Sequence, residues 1–392
     1  MSRPGLGPIL LAVFLDLLGF GLVIPLMGFY AETFGATPSQ VTGLMAVYSI
    51  SQLLGAPAWG ALSDRVGRRP VLIATIGAQA VFLAAFASAT ALWQLYLFRA
   101  LHGLSAANIS AAQAYVADVT DGPDRAKGMG LIGAAFGVGF SVGPLVGGQL
   151  SRWSYTAPIW LAASLSLINL VWVVARLPES RRVGVATEGK TLNPAALARG
   201  LKHPVVGMAI ALVFVITFAF SMMESTFQLV AEHAWAMDAV GVGNLFGVIG
   251  LIGIIVQGGL IRRLVPRFGE ARLVRVGLAL QGAGLAILAT SPAGPAVWAG
   301  CAVLATGSSL SNPSLQALIS RGTSEDEQGA VLGVSQSFSA MGRATGPVLG
   351  GVVFERLWPQ ATMLLGAGLM VGALALSWPA TRRAAARGDS GA

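Results

Sequence analysis

Apolar runs of about 20 residues recur along this chain from end to end, each long enough to cross a hydrocarbon layer of roughly 30 Å. Twelve such runs can be read, at about 7–31, 39–62, 71–88, 91–117, 128–150, 156–177, 205–231, 240–263, 273–290, 294–319, 328–354 and 360–379. A backbone in lipid must satisfy its own N–H and C=O groups, so runs of this length read as helices. A closed barrel would show short strands of alternating polarity instead. Composition agrees: 55% of the residues are hydrophobic and 11% charged, which excludes an ordinary soluble domain. Arg3 leads directly into a full-length span with no small-residue cleavage site between them, so a cleavable leader is not expected. The single cysteine, Cys301, leaves no internal disulfide and no cysteine metal cluster. No metal or other cofactor is expected.

The net charge of +8 could suggest nucleic acid, but its placement encodes orientation. With the N-terminus inside, Lys and Arg fall on cytoplasmic segments except at Arg152 and Arg356, on the opposite face, and Arg99 and Arg343, within spans. That distribution puts both termini in the cytoplasm and makes lipid, not nucleic acid, the surrounding partner. The chain is expected to act as a monomer in the cytoplasmic membrane.

The two halves read as one unit copied. Ala31-Glu32 answers to Ala231-Glu232, Gly43 to Gly243 and Gly67 to Gly269. Gly103, Asn108 and Ser110 answer to Gly307, Asn312 and Ser314, with offsets between 200 and 204. A parallel repeat of six spans implies two pseudo-symmetric six-helix bundles. The boundaries expected are 1–177 for the first bundle, 178–203 for a polar cytoplasmic linker, 204–380 for the second bundle and 381–392 for a tail without structure.

A glycine ruler marks the fifth and eleventh spans. Gly130, Gly139, Gly143, Pro144, Gly147 and Gly148 reappear at one offset of 203 as Gly333, Gly342, Gly346, Pro347, Gly350 and Gly351. Glycine on a spanning helix lets a neighbouring backbone come close, and proline allows a bend where a partner satisfies the freed carbonyl. A closely packed, bendable helix is therefore expected in each half, at the interface on which the halves slide.

The junction of the second and third spans reads Gly60-Ala-Leu-Ser-Asp64-Arg65-Val-Gly67-Arg68-Arg69-Pro70. This spacing resembles the signature loop of the major facilitator superfamily. Leu95-Tyr-Leu-Phe-Arg99-Ala-Leu-His-Gly103 resembles the family's fourth-helix motif, and the glycine ruler resembles its antiporter motif. Leu15-Asp16-Leu-Leu-Gly19-Phe-Gly21-Leu-Val-Ile-Pro25 resembles the first helix of tetracycline-type drug:proton antiporters. The resemblance covers essentially the whole chain and implies an all-α fold of twelve transmembrane helices. It also implies that Asp64, Arg68 and Asp118 form a cytoplasmic gate. An acid–base–acid cluster at the membrane face suits that role, since it can latch in one state and release in the other.

Charge within a span costs about 2.5–3.5 kcal/mol on insertion scales, so each such residue should face protein or water. Asp16 and Glu224 are the deep acids, joined by Arg99, Arg343 and His102. Burial disfavours a charged carboxylate and a nearby cation favours it. Asp16 is therefore the expected proton carrier, with Arg99 the cation that resemblance to the family pairs with it. Glu224 either shares the proton, reads a cationic substrate or caps backbone. His102 either exchanges protons or is a hydrogen-bonded packing residue.

On a continuous fourth helix Arg99, His102, Ser110 and Gln113 fall within about 60° of arc. Asn312 and Gln316 share a face of the tenth span, and Gln336 one with Arg343 on the eleventh. Phe20, Met27, Met223 and Phe227 are expected to line the same cavity, giving it an adaptable lipophilic surface. The implied function is proton-coupled export of lipophilic small molecules. A specific exporter of a sugar or other metabolite, and a non-transporting membrane sensor, are the alternatives. No P-loop, H-E-x-x-H or G-x-S-x-G motif suggests an enzyme. Resemblance to the tetracycline exporters implies further acids in the third and ninth helices, where this chain has Gln79 and Gln281. Tetracycline itself is thus not the expected substrate.

Overall fold

A computed structural model describes residues 6–180, 204–323 and 325–388. Among these, the helices form rods that we number α1 (Gly7–Glu32), α2 (Pro38–Val66) and α3 (Arg68–Ala87). Next come α4 in two pieces, Leu92–Ser105 and Asn108–Val119, then α5 (Gly122–Leu150) and α6 (Ala157–Arg176). The second set is α7 (Pro204–Trp235), α8 (Ala239–Phe268), α9 (Glu270–Thr290), α10 (Pro295–Arg321), α11 (Glu325–Arg356) and α12 (Ala361–Gly388). Nine of these rods are long and apolar enough to cross a membrane by composition and length. The two pieces of α4 are individually short, and α10 carries a run of Ser and Asn that lowers its hydropathy. Most of the expected linker, residues 181–203, lies outside the described residues. The last helix continues to Gly388, through part of the tail expected to lack structure. Its Ala- and Arg-rich sequence there is a strong helix former.

The chain packs as two units, Met1–Thr187 with Met237–Leu251, and Glu188–Ala236 with Ile252–Ala392. The first half of α8 therefore belongs with the first unit, a division finer than the one sequence alone suggested. Inside the first unit, Ile9, Val13, Leu17, Val71, Leu72, Ile76, Tyr115, Val116 and Val173 form a buried core. Leu54, Val81, Ile168 and Val171 point outward and are exposed, as do Ile255, Val371 and Leu376 on the second unit. Apolar side chains on the outer surface suit a lipid solvent.

Corresponding ties recur in both units. Tyr30 Oη donates to Phe86 O at 3.2 Å, joining the ends of α1 and α3. Trp235 Nε1 donates to Ser291 O at 3.2 Å, joining the ends of α7 and α9. The turns before α3 and α9 are also alike: Gly67 and Gly269 both have positive φ, +104° and +72°. A side chain at either position would be strained.

Several helices are interrupted where a continuous wheel would misplace side chains. Ile24–Leu26, around Pro25, forms a 3-10 turn inside α1. Val256–Leu260 forms a π turn inside α8. The α4 chain breaks after Ser105, and helix two satisfies the carbonyls around the break. Gln52 Nε2 donates to Ala106 O at 3.2 Å and Trp59 Nε1 to Leu104 O at 2.7 Å. Irregular backbone inside a membrane protein persists where such partners exist.

Candidate functional site

The break in α4 lies between Arg99 and Asn108, and around it the first unit gathers its buried polar groups. Asn108, the first residue of the second piece, donates from Nδ2 to Asp16 Oδ1 at 3.0 Å and to Gln79 Oε1 at 2.7 Å. Gln79 Nε2 in turn donates to Ser166 Oγ at 3.3 Å. One chain of hydrogen bonds thus links α1, α4, α3 and α6. Asn108, Gln79 and Ser166 are all buried.

Beside this chain lies Arg99, 3% exposed. Its guanidinium sits 4.3 Å over the ring of Tyr48 on α2, a cation–π contact. Tyr48 also meets His102 edge-on at 5.2 Å and Phe20 at 5.9 Å. Gly19, Phe20, Gln79, Leu83, Arg99 and His102 border one small cavity, and Asp16 and Asn108 border another with Ile9 and Leu72.

Several expectations need correction. Asp16 and Arg99 do not pair among the described residues, because the carboxylate takes Asn108 and the guanidinium takes Tyr48. Gln113 does not share a rod with Arg99 and His102, since the break resets the helix, and it is exposed while they are buried. Met27 is buried at 1% and borders neither of the two cavities, whereas Phe20, one turn after Asp16, borders the one beside Arg99. Met223 and Phe227 are also buried, at 5% and 1%; Phe227 packs edge-on against Trp235 within its own unit. Asn312, Gln316 and Gln336 are exposed. Exposed amides on spanning helices belong on a wet face rather than in hydrocarbon.

The second unit repeats part of the arrangement. Gln281 Nε2 donates to Ser311 Oγ at 2.8 Å, the counterpart of Gln79 with Asn108. The match falls on Ser311 rather than the Asn312 suggested by sequence, because α10 is continuous where α4 is broken. Glu224 on α7 has Arg343 of α11 as its charged neighbour. Arg343 Nη1 donates to Ser339 Oγ at 2.8 Å.

At the start of α3 the predicted gate residues come together. Arg68 pairs with Asp64 at 2.8 Å and with Asp118 at 3.0 Å, and donates to Ser63 Oγ at 3.0 Å. Glu179, assigned to the linker by sequence, is part of the same cluster. Its carboxylate accepts the backbone N–H groups of Arg68 and Arg69 at 2.9 and 3.1 Å, so it caps the helix start that Gly67 turns. Ser180 Oγ donates to Asp118 at 3.1 Å. The second unit carries the same cross-link with the charges exchanged: Arg321 pairs with Glu270 at 2.9 Å.

The glycine ruler packs within each unit. A Cβ at Gly143 would lie 2.7 Å from Gly21 of α1, and one at Gly147 2.7 Å from Leu22 O. Gly139 likewise meets Leu17 at 2.9 Å. In the second unit a Cβ at Gly346, next to Pro347, would lie 2.6 Å from Phe218 O of α7. Pro144 and Gly148 face the other way, toward Gly243 on the first half of α8, where a Cβ at Gly148 would lie 3.1 Å from the Gly243 Cα. Gly130 departs from the expectation: nothing lies within 4 Å of a Cβ there, so it packs against no helix.

The profile of the Major Facilitator Superfamily matches residues 9–347, and again 263–392. The chain is 32% identical over 392 residues to a tetracycline resistance protein of class C from Escherichia coli, covering 98% of each. It is 30% identical over 370 residues to multidrug resistance protein 2 of Bacillus subtilis, covering 91% of this chain and 92% of that protein. The crystal structure of the human organic anion transporter MFSD10 (TETRAN) superposes with a TM-score of 0.72 at 25% identity, covering 95% and 98% of the two chains. Whole-length matches of this kind, on an all-helical membrane architecture with the signature loop in place, show that the chain is a multi-pass transporter belonging to the Major Facilitator Superfamily.

Proposed function

We propose that this chain exports lipophilic small molecules across the cytoplasmic membrane in exchange for protons, its two bundles exposing one path alternately to either side. The observation that carries the reading is the buried Asp16–Asn108–Gln79 chain beside an arginine held on Tyr48. A carboxylate kept in a spanning helix is a functional hypothesis by default. Its partners here are neutral amides that can serve either charge state, which suits a group that gains and loses a proton. Relatives named for tetracycline and multidrug resistance support an exported, drug-like substrate. Gln79 and Gln281, in place of acids, favour lipophilic molecules other than tetracycline.

Asp16 is the proton carrier in this reading. Arg99 and His102 set the charge around its cavity, and Glu224 with Arg343 forms the second unit's charged pair. Phe20, Gln113, Asn312, Gln316 and Gln336 belong to the wet, substrate-facing surfaces. Asp64, Arg68 and Asp118 latch the cytoplasmic side, with Glu179 fixing the helix from which Arg68 reaches. A second reading, export of a metabolic organic anion, is favoured by the relative named as an organic anion transporter and by the buried Arg99.

Proteoliposomes holding an imposed pH gradient test both readings. Gradient-driven accumulation of ethidium, with counterflow of protons reported by a trapped pH dye, is expected. Gradient-driven movement of an organic anion with no movement of ethidium would favour the second reading. Proton-independent flux of both would overturn the coupling.

A further inference from the structure

We infer that the Asn108–Gln79 amide pair relays the charge state of Asp16 to the cavity beside Arg99, by turning both amide groups over in concert. This deepens the proton-coupled reading and rests on it. Asn108 stands between two cavities: it borders one with Asp16, and its partner Gln79 borders the other with Phe20, Arg99 and His102. An amide presents two donors on nitrogen and two acceptor sites on oxygen, and the ends exchange by a half-turn without backbone movement.

With Asp16 ionised, hydrogen bonds run in one direction. Asn108 Nδ2 donates to Asp16 and to Gln79, and Gln79 Nε2 donates to Ser166. Asn108 Oδ1 is then buried without a partner. When a proton joins Asp16 from water, its O–H requires an acceptor. A half-turn of Asn108 brings Oδ1 to face it. The same oxygen takes a second bond from Gln79 Nε2 once Gln79 has also turned, and Gln79 Oε1 then accepts from the rotatable hydroxyl of Ser166. Every link is re-formed in the reverse direction. In either state one end of the Asn108 amide stays unpartnered, so neither state carries an extra buried orphan. The two settings are balanced enough for a proton to choose between them.

Reversal at Gln79 turns over the amide dipole of a residue that borders the Arg99 cavity. Arg99 Nε is buried and lacks a hydrogen-bond partner, so the dipole beside it matters. The ionisable groups around this chain of bonds are few. The first piece of α4 gives Arg99 and His102, its second piece gives Tyr115, and α2 gives Tyr48. Residues 71–87 of α3, 128–150 of α5 and 157–175 of α6 contain no Asp, Glu, Lys, Arg or His. The amide pair is thus the polar route from Asp16 toward Arg99 within this unit.

Infrared difference spectra of the full-length protein in lipid, taken between high and low pH, test the relay. Wild type is expected to gain a carboxylic-acid C=O band that Asp16→Asn removes, together with paired changes in side-chain amide C=O bands. Asn108→Leu should keep the acid band, displaced to higher wavenumber by loss of its acceptor, and lose the amide changes. Gln79→Met, close in shape, should lose part of the amide signal and leave the acid band in place. Far-UV circular dichroism and an SDS-unfolding midpoint close to wild type identify folded variants; gradient-driven transport by Asn108→Leu should fall to the Asp16→Asn level. An acid band with no amide change in wild type, or a Gln79 signal that survives in Asn108→Leu, would overturn the relay alone. Absence of any acid band removed by Asp16→Asn would overturn the proton-carrier reading and the relay with it.

Discussion

Replacing Gly143 by alanine asks how closely α5 must sit against α1. The added methyl would lie 2.7 Å from the Cα and carbonyl carbon of Gly21 and 2.9 Å from Leu22 N, all backbone atoms. No change of rotamer relieves such contacts. Ordinary van der Waals contact begins at 3.4 Å, so the two helices must part by at least about 0.7 Å at this level. Overpacking of a rigid contact costs about 1–3 kcal/mol. Gly130→Ala is the internal control from the same ruler, since a methyl there meets nothing within 4 Å. It also removes a helix-interior glycine, which in exposed helices is worth up to about 1 kcal/mol of stability. Unfolding of the purified protein by SDS in mixed micelles, followed by circular dichroism, should show Gly143→Ala weakened and Gly130→Ala unchanged or strengthened. Ethidium export should fall in the first and persist in the second. A Gly143→Ala protein as stable and active as wild type would refute the argument that this helix pair is held at backbone contact.

Further expectations concern the charged groups. Arg99→Lys keeps the charge but loses the planar face that lies on Tyr48, a contact worth about 0.5–2 kcal/mol, so transport should drop roughly 2- to 30-fold. Tyr48→Phe should retain activity in the same flux assay and Tyr48→Leu should not. Glu179→Gln removes the charge that caps the first amides of α3, costing about 0.5–2 kcal/mol; limited trypsin cleavage after Arg65 and Arg68 should accelerate. Asp64→Asn and Arg68→Gln should abolish turnover while the protein still inserts, seen as full membrane abundance with no ethidium flux. Arg321→Gln should lower the unfolding midpoint, because the Glu270 side chain is only 10% exposed and would be left without its charged partner.

Much of this molecule was legible because the bilayer restricts it so strongly. Length and hydropathy placed most rods within a few residues, although α5 starts six residues earlier and α12 runs nine residues further than expected. The 203-residue offset of the ruler anticipated a closely packed helix in each half without naming its partners, α1 and α7. Arg68, Asp64 and Asp118 were legible because a known loop motif carries them. The interruptions were not. Nothing in Ser105-Ala-Ala-Asn108 announces a break, and a helical wheel drawn through it put Gln113 beside Arg99. Gln79, Ser166 and Tyr48 were missed because a single polar residue in a span has no period. Its meaning depends on which helix lies opposite. Gln79 was noticed only as the lack of an acid, yet a buried amide on a lipid-spanning helix was itself the available signal. Glu179 was hidden by its place at the head of a polar stretch, where composition reads as linker.

Proton release on substrate binding tests the central claim most directly. Purified protein in weakly buffered detergent, with a soluble pH indicator, should release protons when ethidium is added, and Asp16→Asn should bind ethidium without releasing any. Equal release by both proteins would show that the exchanged proton resides elsewhere.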